Sequence, residues 1–277
     1  MNIFHAIVLG LIQGLTEFIP ISSTAHLTLY AYFTGLINPQ KPEEWTTFMA
    51  VIQMGTLVSV LWYFRQDIYA IITTFMTENI GSSRKKFSEQ NHSARLGWYI
   101  IVGTVPIVTI GLLAKDIIRG SLTKDPIVIA SALIILALIL FVVEKKSTFS
   151  KSIHSIDLKD SIFVGLIQCL ALIPGSSRSG TTITAGLLRG FTRESAARFS
   201  FLLSIPAIAG SGIFELKDVI GNFTSENALL LLVSTIVSGI SGYWAIAFLL
   251  KFLKTHSMIL FIVYRIILGL FIVACVN

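Results

Sequence analysis

The sequence predicts an all-α polytopic membrane protein, with six transmembrane helices and two re-entrant helix–loop–helix hairpins in an inverted repeat. Three observations lead to this fold class. Hydrophobic residues make up 54% of the 277 residues and charged residues only 13%, whereas soluble proteins average about 25% charged. Six apolar runs are long enough to cross a bilayer. Two further apolar segments resemble each other and are interrupted by polar residues.

The two similar segments predict the hairpins. One reads G-L-I-Q-G-L-T-E-F-I-P-I-S-S-T-A-H over residues 10–26, and the other reads G-L-I-Q-C-L-A-L-I-P-G-S-S-R-S-G-T-T over residues 165–182. In each, a proline and a hydroxyl cluster would end one helix and cap the next. Because each arm is too short to span the membrane, we expect helices that enter and return, with loops buried in protein.

The remaining apolar runs predict six helices long enough to cross roughly 30 Å of hydrocarbon. We place these spans near residues 45–64, 96–114, 126–143, 195–214, 227–250 and 257–276.

Basic residues give the predicted orientation, since cytoplasmic loops carry an excess of Lys and Arg. If the spans alternate, one side carries fourteen basic residues: Arg65, Arg84, Lys85, Lys86, Arg95, Lys145, Lys146, Lys151, Lys159, Arg189, Arg193, Arg198, Lys251 and Lys254. The other side carries five: Lys41, Lys115, Arg119, Lys124 and Lys217. The first side is therefore predicted to be cytoplasmic, and this topology accounts for the net charge of +6 without a nucleic-acid partner.

This orientation predicts that the two halves are inverted. One hairpin and three spans form each half of a single membrane domain, 1–277, and three is an odd number of crossings. The halves cover about 1–143 and 161–276 and are joined by a basic cytoplasmic loop, 144–160. Inverted repeats built from broken helices place their binding site near the midplane, where the two loops would meet.

The first hairpin carries ionisable residues where they are costly and commonly functional. Gln13 and Glu17 are four residues apart and share one helix face. A carboxylate beside a carboxamide can orient water, accept a proton or bind a cation. The structural alternative is a glutamate satisfied by helix ends or by a neighbouring arginine.

Hydroxyl groups and a histidine follow in the same hairpin. Ser22, Ser23 and Thr24 can act as helix caps, as substrate contacts, or as both. His26 falls about one turn later, and its position beside these hydroxyls and near Glu17 favours a role in the chemistry.

The second hairpin predicts a phosphate-binding loop. Residues 174–182 combine five hydroxyls, two glycines and Arg178. Glycine lets a ligand approach the backbone, a helix start favours anions, and a guanidinium matches phosphate oxygens. The alternative role for Arg178, an ion pair with Glu17 that holds the hairpins together, is compatible with this one. The substrate-binding candidates here are Gly175, Ser176, Ser177, Ser179 and Thr182, and those of the first hairpin are Gln13, Ser22 and Thr24.

These motifs carry a family resemblance along essentially the whole chain. Gln13-x-x-x-Glu17 with Pro20-Ile21-Ser22-Ser23-Thr24-Ala25-His26, and Pro174-Gly175-x-Ser177-Arg178-Ser179-x-x-Thr182, resemble the bacterial undecaprenyl-pyrophosphate phosphatase (bacitracin-resistance protein) family. The resemblance implies an inner-membrane hydrolase that removes one phosphate from a C55 polyprenyl pyrophosphate. It would regenerate the lipid carrier for peptidoglycan synthesis and confer bacitracin resistance. It also implies that Glu17, Ser23, His26, Ser177 and Arg178 are active-site residues.

The expected mechanism uses both loops. Arg178 and the N–H groups after Ser177 would hold the phosphates in a cavity open to the outer face and to lipid. Either His26 attacks phosphorus, which we favour slightly, or Ser23 attacks with His26 as base. Glu17 would position or activate the nucleophile or water. A divalent cation, Mg or Ca, is an expected cofactor with Glu17 as its candidate ligand, and no organic cofactor is expected.

Other functions remain open at this stage. The same site could bind and move polyprenyl phosphates, because paired hairpins in inverted repeats are transporter architecture. The sequence is also compatible with a homodimer.

Arg265, inside the last span, either lines the site or extends to the membrane surface. The acid-phosphatase-like lipid phosphatases are excluded, because they need a His followed four residues later by Asp, and Leu260 stands four residues after His256.

Overall fold

Helices and short connections make up the described chain. The computed structural model describes residues 1–80, 83–222 and 225–276, and the side chains of these ranges outside 216–227. In these residues we number twelve α-helices: α1 (Ile3–Phe18), α2 (Ser23–Thr34), α3 (Pro42–Tyr63), α4 (Arg65–Asn79), α5 (His92–Leu113), α6 (Lys115–Arg119), α7 (Pro126–Lys146), α8 (Leu158–Gln168), α9 (Arg178–Leu188), α10 (Arg193–Asn222), α11 (Ser225–Leu253) and α12 (Ile259–Val276).

Six of these helices are long and apolar enough to cross a membrane, which confirms the predicted number of spans within the described residues. They are α3, α5, α7, α12, the Arg193–Glu215 part of α10 and the Ala228–Leu253 part of α11. Their ends lie within four residues of the predicted ones. One detail differs, since α7 continues to Lys146 and the first three residues of the predicted loop 144–160 are helical. The side chain of Lys217, which entered the charge count, lies outside the described side chains.

The two similar segments form helix–loop–helix pairs, α1–α2 and α8–α9, that differ by one residue in the first arm. Proline follows the repeated glutamine by seven residues in the first segment and by six in the second. The first arm of the second pair compensates by winding Cys169–Leu172 into a 3₁₀ helix after α8. Four 3₁₀ residues at about 2.0 Å each rise as far as five α-helical residues at about 1.5 Å each. Both loops are therefore carried to a similar depth from their first helix.

The glycine that opens each Gly-Leu-Ile-Gln sequence allows close helix packing. Gly10 of α1 lies against the Ser234 carbonyl of α11, and a Cβ atom on Gly10 would collide with it. Gly165 of α8 lies against the Gly103 backbone of α5 in the same way. The repeated glycine thus seats the first arm of each pair on a long neighbouring helix.

The basic side of the molecule holds buried carboxylates in ion pairs. Asp160, at the start of α8, is fully buried and accepts hydrogen bonds from Arg189 at 2.6 Å and from Lys151 at 3.2 Å. Glu144, near the end of α7, pairs with Arg193 at 2.6 Å. Because buried carboxylates need such partners, several of the basic residues used for orientation also fasten the ends of α7, α8 and α9 to their neighbours.

We expect Gly165→Val to destabilise the protein, because the new side chain has no space between α8 and α5. Overpacking of this kind costs about 1–3 kcal/mol. The measurement is thermal unfolding of the purified protein in detergent. Gly210→Ala is the matched control, since no atom lies within 4 Å of a Cβ atom there, and it should leave the unfolding temperature unchanged or raise it. Equal unfolding temperatures for wild type and Gly165→Val would contradict the packing argument.

Candidate active site

The two loops contain matching strained serines. Ser22 has φ 75° and ψ 97°, and Ser177 has φ 66° and ψ 109°, a region that non-glycine residues rarely adopt. Each serine is the N-cap of the second helix of its pair, and its Oγ accepts the N–H of the residue three positions later, Ala25 or Gly180. Strain of this kind costs about 1–3 kcal/mol per residue and concentrates at functional sites.

Glu17 is the point at which the two loops meet. Its Oε1 accepts a hydrogen bond from Arg178 Nη2 at 2.6 Å. Its Oε2 accepts from Ser23 Oγ at 2.8 Å and from Gln13 Nε2 at 2.7 Å. Glu17 is 5% exposed, so this carboxylate is buried and held by an amide, a hydroxyl and a guanidinium. Removing one charge of such a pair leaves the other buried and uncompensated.

A cavity of about 420 Å³ opens beside these groups, within the range of about 300–1,000 Å³ typical of ligand sites. The end beside the two loops, which we call the polar end, is polar, and the walls include apolar side chains of α5, α10 and the second loop. The polar end is lined by Glu17, Ser22, Ser23, Thr24, Gln53, Gly175, Ser177 and Arg178. A charged headgroup at this end and a short stretch of hydrocarbon against the walls match this lining.

The electrostatics of the polar end favour an anion. Arg178 Nη1 has no hydrogen-bond partner among the described residues although it is buried, so one donor of this guanidinium remains available to a ligand. The helices α2 and α9 both begin here, at Ser23 and Arg178. The first N–H groups of a helix have no intrahelical acceptor and carry the positive end of its dipole. Two helix starts and a guanidinium therefore converge on the same space.

Four other predicted substrate-binding residues lie behind the cavity wall rather than on it. Gln13 acts on Glu17, as described above. Ser176 is fully buried, and its Oγ donates to the Leu170 and Ile173 carbonyls within its own turn. Ser179 and Thr182 are also buried, and their hydroxyls contact the other loop or a neighbouring helix: Ser179 Oγ lies 3.3 Å from Ile19 O, and Thr182 Oγ1 lies 2.6 Å from Ser200 Oγ.

His26 is held on the side of the first loop away from the cavity lining. Its Nδ1 lies 2.7 Å from the Ser22 carbonyl oxygen, and its Nε2 lies 2.6 Å from the Tyr264 hydroxyl. The two rings are nearly parallel, with 6° between their planes. Both ring nitrogens therefore have partners, and in this geometry Ser23, rather than His26, is the nucleophile candidate that touches Glu17.

Sequence reasoning missed the residues at the other end of the cavity. Lys115, Arg119 and Glu215 line it there. Lys115 and Arg119 begin and end the short helix α6, and Glu215 lies within α10. Arg119 and Glu215 form a two-contact ion pair, with Nε–Oε1 at 3.0 Å and Nη2–Oε2 at 2.9 Å. Glu215 lies one residue beyond the predicted span 195–214. An acidic residue at the edge of a span is the sequence feature that could have indicated this part of the cavity.

The geometry first defines a class: a multi-pass membrane protein whose two helix–loop–helix pairs build a buried polar site beside a cavity. The comparisons then give the family. The model of the bacitracin resistance protein BacA family matches residues 6–271, so the chain belongs to that family.

Individual relatives support the same assignment. The chain is 52% identical over 269 residues to a protein of Syntrophobacter fumaroxidans named undecaprenyl-diphosphatase, covering 97% of this chain and 95% of the relative. It is 46% identical over 286 residues to one of the same name from Chloroherpeton thalassium, covering 100% and 98%. A Myxococcus xanthus protein of that name is also 46% identical, covering 97% and 87%.

We expect Glu17→Gln and Arg178→Gln each to lower the unfolding temperature, because each leaves one buried charge unpaired, at a cost of about 3–5 kcal/mol. The double variant Glu17→Gln/Arg178→Gln should recover part of the loss, because no charge is then orphaned. Thermal unfolding in detergent measures all three. The exposed pair Lys41–Glu44 provides the control, since Glu44→Gln should have little effect. Strictly additive losses in the double variant would show that Glu17 and Arg178 are not coupled.

Proposed function

We propose that this protein is a bacterial inner-membrane phosphatase that hydrolyses undecaprenyl pyrophosphate to undecaprenyl phosphate and inorganic phosphate. This reaction recycles the lipid carrier of peptidoglycan synthesis, and it accounts for bacitracin resistance because that antibiotic sequesters the pyrophosphate. The observation that carries the proposal is the contact of Ser23 and Arg178 with the single carboxylate of Glu17 at the polar end of the cavity. The relatives named undecaprenyl-diphosphatase support the substrate.

The geometry favours Ser23 as the nucleophile. Its hydroxyl already donates to Glu17 Oε2, so Ser23 Oγ would attack the terminal phosphorus while its proton passes to Glu17. The bond between the terminal phosphorus and the bridging oxygen breaks, and its electron pair leaves with undecaprenyl phosphate. Water then attacks the phosphoserine, releases phosphate and restores the serine proton.

Arg178 and the helix starts would stabilise the charge that spreads over the phosphoryl oxygens during transfer. Arg178 Nη2 is engaged by Glu17, while Nη1 points to no described partner and supplies the donor for a phosphate oxygen. The cavity volume of about 420 Å³ suits the diphosphate and the first isoprene units. The rest of a C55 chain would extend between α5 and α10 into lipid.

The polar end also fits a divalent cation carried by the substrate. No group of three His, Cys, Asp or Glu side chains comes together in the described residues. Magnesium, however, is commonly held by one or two carboxylates together with substrate phosphates. Glu17 and the Ser23 hydroxyl would be its protein ligands. Such a cation, Mg or Ca, would neutralise phosphate charge during the reaction.

We also propose that the two helix–loop–helix pairs are re-entrant and belong to inverted halves, with the cavity opening to the outer face. The matched strained caps Ser22 and Ser177 support a structural repeat. The exchange of partners supports it as well, because α1 packs on α11 of the second half and α8 packs on α5 of the first. Lys115 and Arg119, which line the cavity, belong to the side with fewer basic residues, and the positive-inside rule predicts that this side is the outer one.

Purified wild-type protein should release inorganic phosphate from undecaprenyl pyrophosphate. Arg178→Lys should lower kcat/KM by about 10²–10³-fold, because an ammonium cannot hold Glu17 and a phosphate with one planar fork. Arg198→Lys is the matched control, since Arg198 pairs with the half-exposed Asp67 away from the cavity. Tight binding of the lipid by wild type without phosphate release would favour a transporter instead. Loss of activity with chelator and its return with Mg or Ca would support the cation.

Rapid quenching of turnover should trap a phosphoenzyme that is stable to acid and labile to base, because a phosphate ester of Ser23 has that chemistry. Mapping the labelled peptide should place the phosphate on Ser23, and Ser23→Ala should abolish the label. An acid-labile, alkali-stable label on His26 would contradict attack by Ser23 and restore the sequence-based preference for His26.

A further inference from the structure

Two adjacent residues of α12 contact the two catalytic loops from behind. Tyr264 hydrogen-bonds His26 in the first turn of α2, directly after the first loop, and Arg265 donates from Nη2 to the Ser176 carbonyl oxygen of the second loop at 3.0 Å. Successive residues of an α-helix point about 100° apart, so neighbouring side chains of α12 can reach both groups. Neither residue lines the cavity, so both act through other groups.

On the first loop, the contact runs through His26 to the strained serine. A carbonyl oxygen only accepts, so His26 Nδ1 carries a hydrogen and donates it to Ser22 O at 2.7 Å. In the neutral ring, Nε2 then accepts the Tyr264 hydroxyl hydrogen at 2.6 Å. The Ser22 carbonyl belongs to the peptide group that joins Ser22 to Ser23. Tyr264 therefore fixes the imidazole, and the imidazole fixes the peptide plane beside the proposed nucleophile.

On the second loop, the contact is direct. The Ser176 carbonyl belongs to the peptide group that precedes Ser177, the second strained serine. Arg265 is only 1% exposed, and no carboxylate pairs with it among the described residues. Its Nε has no hydrogen-bond partner in that part of the chain. A buried guanidinium is costly without a counter-charge. This one donates to a loop carbonyl next to the start of α9.

A similar pattern therefore occurs twice: a strained serine, a carbonyl in a peptide group beside it, and a side chain of α12 that restrains that carbonyl, through His26 on the first loop and directly on the second. Strained backbone persists only where surrounding groups over-determine it. We propose that Tyr264 and Arg265 form an α12 brace, a pair of positioning residues that hold both serine turns in the conformation needed for phosphoryl transfer. The brace rests on the proposed phosphatase function and adds two residues that do not touch the substrate.

The first test is Arg265→Met. Losing a hydrogen bond from a charged donor to the loop should lower kcat by about ten- to hundredfold, with KM changed much less, because the transition state depends on the loop geometry more than the ground state does. Arg265→Lys keeps one donor and should recover part of kcat. Rates are expressed per folded molecule, with the folded fraction measured by size-exclusion chromatography and thermal unfolding.

The second test is Tyr264→Phe, which removes one hydroxyl and keeps the ring. Losing a hydrogen bond of ordinary strength should lower kcat by about three- to tenfold. Tyr30→Phe is a matched control, because the Tyr30 hydroxyl makes a similar contact with His5 Nδ1, at 2.7 Å, away from the cavity. It should keep the wild-type kcat.

The outcomes separate the brace from simple packing. A drop in kcat per folded molecule in both variants, with recovery in Arg265→Lys, supports the brace. Wild-type kcat per folded molecule in either variant, with or without a lower folded fraction, overturns it. If wild type itself releases no phosphate, the phosphatase proposal fails separately. The brace is then judged by the thermal stabilisation that orthovanadate, a mimic of the transferring phosphoryl group, gives to wild type, which both variants must lose.

Discussion

The ion pair between Glu17 and Arg178 is the contact on which the rest of the site depends. It joins the end of α1 to the start of α9, residues 161 positions apart in the chain. The same carboxylate receives Ser23 and Gln13, so one buried group sets the positions of the proposed nucleophile and of the phosphate-binding arginine. The contacts by which Glu17 joins the two loops are therefore the same contacts that its proposed catalytic role requires. Separating the loops would remove both.

The turns at Ser22 and Ser177 share one backbone conformation but carry different chemical groups. Ser22 and Ser177 have nearly the same dihedral angles and the same capping bond, and each turn begins a helix at the polar end of the cavity. The residues around them differ, with a carboxylate and a hydroxyl on one loop and a guanidinium on the other. A 3₁₀ segment compensates for the missing residue in the first arm of the second pair, so the repeated geometry is kept despite the change in length.

Sequence patterns predicted the spans because hydropathy over some twenty residues is a local property of the chain. They also predicted that Glu17, Ser23 and Arg178 matter, since ionisable and hydroxyl groups inside apolar segments are unusual. Sequence patterns could not predict the direction in which individual side chains point. His26 hydrogen-bonds Tyr264, 238 positions later, and the Ser176 hydroxyl donates to a carbonyl of its own turn. Arg265 drew attention as a charge in a span, but its contact with Ser176 depends on how α12 packs, which no local pattern encodes.

The central claim is that the two loops form one phosphate site at Glu17, Ser23 and Arg178. An experimental structure of the protein with orthovanadate, a mimic of the transferring phosphoryl group, tests it most directly. We expect vanadium within bonding reach of Ser23 Oγ, with an oxygen on Arg178 Nη1 and the others facing the starts of α2 and α9. Vanadate bound only at the Lys115 and Arg119 end of the cavity, or bonded to His26, would contradict the account.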